Sequence, residues 1–191
     1  MPTPAPRSPS LPWRVGDEWT NPVTRFAIRV EASAASTGGA RVRWLATYPP
    51  CTPPPPAHFH PQQTERFVIV SGRVRVRVGE SERDLPPGTE LEIAPRQVHQ
   101  MWNPFAEPAA VRWETTPALR AERWMGLLIE FAQLGRTNAR GVPPLPQLAL
   151  LLRAHRDEFR LARPSPLVQA IVFGLAAAIG RLRGASGERV R

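Results

Sequence analysis

The sequence predicts a mainly β domain, a sandwich or barrel, followed by about three α-helices. Three observations predict this fold class. From Val23 to Thr115 apolar residues recur with a period of two, which is typical of half-buried strands. Clusters of glycine and proline interrupt these strands at short intervals, as turns do. After Thr116 the apolar period changes to that of helices.

The chain length indicates one domain with an appendage. Domains usually contain about 100 to 150 residues, and this chain has 191. We expect a β-domain over residues 14–116 and a helical C-terminal extension over 117–184. The proline-rich residues 1–13 and the short segment 185–191 are expected to be tails outside the fold.

The clearest strand is the run Arg73–Val78, in which three valines alternate with three arginines. Such a run can be a basic binding stripe. The interpretation that we favour is an antiparallel strand with a solvated outer face. The segment Pro49–Pro56 is too rich in proline to be a central strand, so it is predicted to be a loop that leads into His58.

The first two helices are predicted from start signals and apolar faces. Thr116 and Pro117 form an N-cap and N1 pair for the first helix, which ends before Gly135. The second helix is predicted to begin near Pro146.

The third helix is predicted to begin at Ser165–Pro166 and to run to Gly184. It is apolar nearly all round, but it is too short and too rich in alanine and glycine for a transmembrane segment, which needs about 20 strongly apolar residues. We therefore expect no membrane span. Burial of this helix against the barrel or a second subunit is expected instead, and we predict a homodimer.

The composition bears on partners and compartment. The formal net charge is +9, which could indicate nucleic-acid binding. However, the arginines are scattered over strands and helices and no nucleic-acid-binding motif occurs, so we do not expect that partner. The single cysteine, Cys51, excludes an internal disulfide, and no signal-peptide pattern is found at the N-terminus. The expected location is the cytoplasm.

The most informative stretch runs from His58 to Glu65. On a strand, residues two apart point to the same face, so His58 and His60 project together. Glu65 follows a short turn at the start of the next strand, where a tight connection would return its carboxylate to the histidine pair. Two imidazoles and a carboxylate suit a transition metal such as zinc, iron, nickel or manganese.

A further candidate ligand is His99, in the segment Pro95–Asn103. If this segment is a strand, His99, Met101 and Asn103 share one face. The alternative is that these residues are unrelated surface or core polar groups. We accept that alternative for the fourth histidine, His155, because no ligand-type side chain lies three or four residues away on its predicted helix.

These spacings resemble the two sequence motifs of the cupins. His58-x-His60, four residues, Glu65, six residues and Gly72 are similar to the first motif, although the family usually has glycine where Thr52 stands. Pro95 to His99, three residues and Asn103 are similar to the second motif, with a shortened turn after Pro95.

The resemblance implies a double-stranded β-helix, or jelly-roll, barrel of the cupin 2 type. It also implies one divalent transition metal (Fe, Mn, Ni or Zn) bound from inside by His58, His60, Glu65 and His99. Other segments resemble bacterial single-domain cupins with a helical C-terminal extension. No catalytic residue is expected beyond the metal ligands.

The resemblance gives no substrate, so two functions stay open. A metal with three histidines and one glutamate can leave coordination positions for substrate or dioxygen, which favours a dioxygenase-like or an isomerase- or cyclase-like enzyme. The alternative is a non-catalytic cupin that binds or senses a small ligand. The predicted substrate pocket favours a hydrophobic or aromatic molecule, although the same side chains could simply be barrel core; its residues are Phe67, Ile69, Met101, Asn103 and Trp113.

Overall fold

The computed structural model of the chain describes residues 12–182 and 184. The helices are α1 (Ala121–Gln133), α2 (Leu145–Ala154) and α3 (Pro166–Leu182). The strands are β1 (Glu18–Thr20), β2 (Ala27–Ala32), β3 (Val42–Tyr48), β4 (His58–Phe59), β5 (Thr64–Ser71), β6 (Val74–Val78), β7 (Ser81–Leu85), β8 (Glu90–Ile93), β9 (His99–Trp102), β10 (Ala109–Thr116) and β11 (Arg160–Leu161).

The strands form two antiparallel sheets, with the order β1-β2-β3-β10-β5-β8 in one and β11-β4-β9-β6-β7 in the other. The main core lies between them, because the apolar faces of both sheets meet there. It contains Phe67, Ile69, Val74, Val76, Leu85, Ile93, Met101, Ala109 and Val111. The fold is a two-sheet jelly-roll sandwich with three C-terminal helices, as expected from the sequence.

Strand β6 shows how the alternating pattern is used. Val74 and Val76 are fully buried, whereas Arg75 and Arg77 point outward. Arg75 Nε lies 2.6 Å from Asp84 Oδ1 on β7, and Arg77 Nε lies 2.9 Å from Glu82 Oε2. The arginines therefore pair across the outer face of a strand ribbon, and the solvated-strand interpretation is confirmed.

Gly72 makes the tight turn between β5 and β6 possible. Its φ is +68°, and a Cβ atom at this position would lie 2.3 Å from the carbonyl oxygen of Pro108. Any other residue would be strained and would collide with backbone. The glycine that ends the first motif is thus required by the close approach of the 108–109 backbone.

A second core cluster corrects the predicted N-terminal tail at its last residue. Residues 1–11 lie outside the described residues, but Trp13 is only 1% exposed. Its ring packs 6.0 Å from that of Trp19 and 6.1 Å from that of Trp44, measured between centroids. The tail is predicted from its proline-rich composition, which gives no weight to a single large apolar side chain. The Trp13 ring is such a side chain, and it packs into the core. The predicted tail at 185–191 also lies outside the described residues.

The predicted start of the first helix is wrong. Thr116 is still part of β10, where it pairs with Thr64 of β5, and α1 begins at Ala121 after Arg120. The backbone N–H of Ala118 donates to the carbonyl of Gly39 at 3.1 Å. Pairing with the β-domain therefore delays the helix by four residues relative to the N1 position expected at Pro117.

The other two helices begin close to where the sequence predicts. α1 packs on the tryptophan cluster through Ile129 and Met125, whereas α3 packs against α2 through Ala176 and Ala177. Most of the large apolar side chains of α3 stay exposed, including Leu167, which is 72% exposed, and Leu182, which is 89% exposed. Burial of this helix against the barrel is therefore not observed. Within the described residues, no helix is both long and apolar enough to cross a membrane.

Candidate metal centre

Three histidines meet at the end of the five-stranded sheet. β4 is antiparallel to β9, and in that register His58 lies directly opposite His99. His60 follows β4 by one residue, so it projects to the same side as His58. One ring nitrogen from each of the three lies within 4.8 Å of the others, close enough to bind one metal ion. Among the described residues, no other group of three or more His, Cys, Asp or Glu side chains brings its ligand atoms this close together.

The backbone fixes the tautomer of each histidine. The Nδ1 atoms of His58, His60 and His99 lie 2.8 Å from the carbonyl of Pro56, 2.6 Å from that of Glu158 and 3.0 Å from that of Gln97, respectively. A carbonyl oxygen only accepts, so each Nδ1 must carry the proton and donate it. The Nε2 atoms then keep their lone pairs. This is the arrangement that metal-binding histidines usually show.

Glu65 faces the same point from β5. Its side chain is 1% exposed, and its Oε1 atom accepts a hydrogen bond from Trp113 Nε1 at 3.0 Å. This bond turns Oε2 toward the histidines, at 2.9 Å from His99 Nε2 and 3.3 Å from His60 Nε2. We call His58, His60, Glu65 and His99 the ligand set.

The geometry of the ligand set suits a cation. With Nδ1 protonated, the Nε2 lone pairs of His60 and His99 face a buried carboxylate oxygen. His60 Nε2 and Glu65 Oε2 are both buried, and within the described part of the chain neither makes a hydrogen bond. Lone pairs and an anion repel each other unless a metal ion or an additional proton lies among them. The residues present therefore fit a divalent metal.

Burial and mutual charge set the protonation of the ligand set. Burial, and then the neighbouring His99, lower the pKa of His58 to about 3, so this ring is neutral at neutral pH. Burial alone would raise the pKa of Glu65, but the interactions with His60 and His99 outweigh it and lower this pKa to about 2. Burial alone would lower the pKa of His99, but the contact with Glu65 outweighs it and raises this pKa. The neutral His58 ring and the ionised Glu65 carboxylate are in the forms that a metal binds, whereas the raised pKa of His99 means that a metal would have to displace a proton from this ring.

The two motif departures have structural explanations. Thr52, which replaces a glycine, hydrogen-bonds to Asn103: the N–H of Thr52 donates to the Asn103 carbonyl at 2.8 Å, and the N–H of Asn103 donates to Thr52 Oγ1 at 2.9 Å. In the shortened turn, Arg96 has a φ of +67°. Its N–H donates to the carbonyl of His60 at 2.8 Å, so the turn is fastened to the ligand set.

The C-terminal extension contributes side chains that the sequence analysis missed. The ring of Phe159 stacks on His58 with centroids 4.6 Å apart and planes at 23°. On its other neighbour, Trp124 of α1, it stacks at 4.5 Å and 23°. These aromatic rings exclude water from one side of the ligand set and restrict the rotation of His58.

Glu158 joins the same layer through its backbone and its side chain. Its carbonyl holds His60 Nδ1, while its carboxylate accepts bonds from the N–H of Arg120 at 2.8 Å and from Arg120 Nε at 2.7 Å. Burial raises the pKa of Glu158, and the contacts with Arg120 oppose this. We call Arg120, Trp124, Glu158 and Phe159 the covering residues. No spacing rule predicts them, because they come from the start of α1 and from the turn between α2 and β11.

A cavity of about 600 Å³ opens onto the ligand set, a size that suits a small organic molecule. His58, Glu65 and His99 line it, and so do three of the five predicted pocket residues, Phe67, Met101 and Trp113. The other wall comes from the proline loop before β4 and from α1.

The two remaining predicted pocket residues lie outside this lining. Ile69 is packed in the core between the sheets. Asn103 is fully buried, and its side-chain amide donates to the carbonyls of Tyr48 and Glu107 at 3.3 and 2.7 Å. Asn103 thus organises the loop after β9, because a short amide satisfies local backbone better than it reaches a cavity.

Two titratable side chains outside the ligand set, Tyr48 and His155, are half-buried and buried, respectively. Tyr48 lines the cavity; burial, and then the negative charge of Glu65, raise its pKa, so its hydroxyl stays protonated. His155 lies outside the histidine cluster, as expected. Its ring is buried, with Nδ1 3.0 Å from the carbonyl of Leu151.

Comparison with known proteins supports this description. Residues 44–113 match the family model described as a cupin domain. A stretch of 49 residues, 25% of this chain, is 39% identical to an oxidoreductase of Arthrobotrys oligospora. That stretch spans only 19% of the fungal protein's length.

Solved structures with similar folds come from several bacteria. One protein of Thermus thermophilus is 28% identical, with a TM-score of 0.39 over 42% of this chain and 75% of its own. A sugar phosphate isomerase of the cupin superfamily from Silicibacter pomeroyi is 17% identical, with a TM-score of 0.45 over 52% of this chain and 70% of its own. The family match coincides with the segment that contains the ligand set, so residues 44–113 of this chain are similar to a cupin domain.

Proposed function

We propose that the protein is a metal-dependent cupin enzyme with a three-histidine, one-glutamate centre. The observation that carries this proposal is the orientation of the ligand set. Ring nitrogens of three histidines lie within 4.8 Å of one another, and the buried Glu65 Oε2 lies 2.9 Å from His99 Nε2 and 3.3 Å from His60 Nε2. A divalent metal ion could be bound by all four groups at once, through three neutral imidazoles and one carboxylate.

The substrate that we propose is a small hydrophobic or aromatic molecule. The cavity next to the ligand set is lined largely by apolar and aromatic side chains, among them Phe67, Met101 and Trp113. A bound redox metal would supply oxygenase chemistry there, whereas zinc or manganese would polarise a carbonyl for isomerisation or cyclisation. The likeness of one segment to an oxidoreductase supports the redox alternative.

The protein's own residues perform three tasks in this proposal. Trp113 orients Glu65 through a 3.0 Å hydrogen bond. Phe159 excludes water from the side of His58 on which it stacks. Tyr48, half-buried in the cavity lining and protonated, offers a hydroxyl to a polar group of the substrate. A substrate would thus be held between an apolar wall and the ligand set.

The non-catalytic alternative uses the same cavity to bind or sense a ligand. Elemental analysis of protein purified without added metal separates the two. We expect iron, manganese or nickel at close to one ion per chain, and His60→Gln should abolish this content. His155→Gln is the matched histidine control, and it should keep the metal. Equal metal content in both variants would contradict the proposed centre, and a zinc-only site without turnover would favour the non-catalytic function.

We also propose a homodimer formed through α3. This helix leaves a row of apolar side chains exposed, including Leu167, Ile171 and Leu175, which follow one another at helical spacing. Light scattering at micromolar concentration should give twice the chain mass. Ile171→Glu combined with Leu175→Glu should give the monomer, and a wild-type monomer would contradict the proposal. The exposed free thiol of Cys51 is compatible with a reducing compartment such as the cytoplasm.

A further inference from the structure

Two ordered turns meet at the edge of the large cavity. In the first, Asn21 Oδ1 accepts bonds from the N–H groups of Val23 and Thr24 at 2.9 and 3.0 Å. In the second, Asn138 Oδ1 accepts bonds from the N–H groups of Arg140 and Val142 at 2.9 and 3.1 Å. Each turn is therefore held by its own asparagine side chain, as Asx turns are.

Gly141 is the point at which the turns touch. Its φ is +72°, and a Cβ atom there would lie 2.7 Å from Thr24 Cγ2 and 3.5 Å from Asn21 Nδ2. Only glycine allows this approach without strain. Contact between the two turns fixes the backbone beside Arg140, and this keeps Arg140 at the edge of the cavity.

The cavity is lined by few charged side chains, and Arg140 is one of them. Asn21, Thr24, Arg140, Gly141 and Val142 all belong to its lining, and Arg140 is the one arginine of that lining. The chain contains no lysine. Arg140 is exposed and, within the described residues, it forms no ion pair. The carboxylate of Glu65 also lines the cavity, but it already contacts His99 and accepts a hydrogen bond from Trp113.

We propose that Arg140 binds a carboxylate group of the ligand while the apolar body of the ligand fills the cavity. The proposal rests on the proposed function in taking this cavity as the substrate site, and it narrows the substrate to an amphipathic monocarboxylate. The planar guanidinium fork matches a carboxylate, and one arginine balances one negative charge. A phosphate dianion would require more positive charge than this edge offers, and an uncharged hydrocarbon would leave Arg140 without a role.

The test is a binding comparison that does not depend on turnover. The probes are the ω-phenylalkanoates from phenylacetate to 6-phenylhexanoate, each compared with its primary amide by isothermal titration calorimetry. We expect the acid of the best chain length to bind wild type about five- to tenfold more tightly than its amide, the strength of one charge-assisted pair near solvent. Arg140→Gln should remove this preference and change amide affinity by less than about twofold.

Two further variants locate the effect. Arg136→Gln removes an exposed arginine of the same connecting segment that is not part of the cavity lining, so it should keep the acid preference. Gly141→Ala keeps Arg140 but forces the turns apart, so it should reduce the preference. Thermal melting of each variant confirms folding.

The outcomes that overturn the proposal are distinct from those that overturn the metal centre. Acid preference that survives in Arg140→Gln, or the lack of any acid preference across the series in wild type, would contradict it. The titrations are made on metal-free and metal-loaded protein. An acid preference that requires Arg140 in both forms supports the proposal even where elemental analysis contradicts the metal centre.

Discussion

The ligand set and the covering residues surround the same point but come from different parts of the molecule. The ligand set belongs to the β-domain, where strand register places His58 opposite His99. The covering residues belong to the extension, and they act through stacked rings and a main-chain carbonyl. In the proposed centre the first group would supply the donor atoms, so a change in it should weaken metal binding most. The second group supplies orientation, so its removal should weaken the centre without abolishing it.

Glu65→Gln should give the largest effect, because it removes the negative charge of the ligand set. The bound divalent ion would keep its full charge in a buried site, and metal affinity should fall by at least about 100-fold. Since glutamine is nearly isosteric, the metal-free variant should lose only about 1 to 2 kcal/mol of folding free energy.

Metal content after dialysis and thermal melting of the metal-free forms measure both effects. Wild-type metal content in the variant would show that Glu65 is not a ligand. A metal-free variant that does not fold would show that its main role is in the barrel.

Phe159→Ala tests the covering residues directly. Loss of the ring that stacks on His58 should reduce metal affinity about tenfold, measured by competition with a chromogenic chelator. Phe159→Leu should restore part of the affinity, because leucine still excludes water. Phe105→Ala is the matched control, since that ring contacts Arg73 at the surface, 4.1 Å from guanidinium carbon to ring centroid. An unchanged affinity in Phe159→Ala would reduce the covering residues to a packing role.

Glu158→Gln separates the two functions of that residue. The backbone carbonyl that orients His60 remains, while the ion pair with Arg120 is lost. Because the Arg120 side chain is 45% exposed, we expect a stability loss of only about 1 kcal/mol by urea denaturation. Metal affinity should fall by less than the loss in Phe159→Ala. A larger fall would mean that the ion pair, rather than the ring, holds the covering residues in place.

Arg96→Gly should give the smallest effect and the opposite sign. Arg96 has a φ of +67°, so glycine would relieve backbone strain and should stabilise the protein by about 0.5 to 1 kcal/mol. Metal affinity should stay at the wild-type value, because the N–H that binds the His60 carbonyl is retained. A lower melting temperature would indicate that the arginine side chain contributes a contact of its own.

The sequence predicts the clustering of the histidines and the sheet-forming pattern well, for a physical reason. Strand geometry has a period of two, so His58 and His60 must share a face, and side-chain chemistry identifies a metal ligand. Position along the chain therefore determines position in space over such short distances.

The covering residues could not be predicted in this way. The Nδ1 partner of His60 is a main-chain carbonyl 98 residues further along the chain, and every residue type offers the same carbonyl. Phe159 lies beyond the end of α2 at Ala154, so the helical period does not give its position. Its contact with His58 depends on β11 pairing with β4, and a two-residue strand leaves no periodic signal.

The 98-residue separation between His60 and the carbonyl of Glu158 also affects the order of events during synthesis of the protein. All four members of the ligand set have left the ribosome before the chain reaches Glu158, and the jelly roll can begin to form at that stage. The proposed metal centre is then open on the side of His58 and holds His60 in no fixed tautomer. Full affinity comes only after Arg160 and Leu161 pair with β4, so on a growing chain the metal should exchange freely until this pairing forms and should be held tightly afterwards.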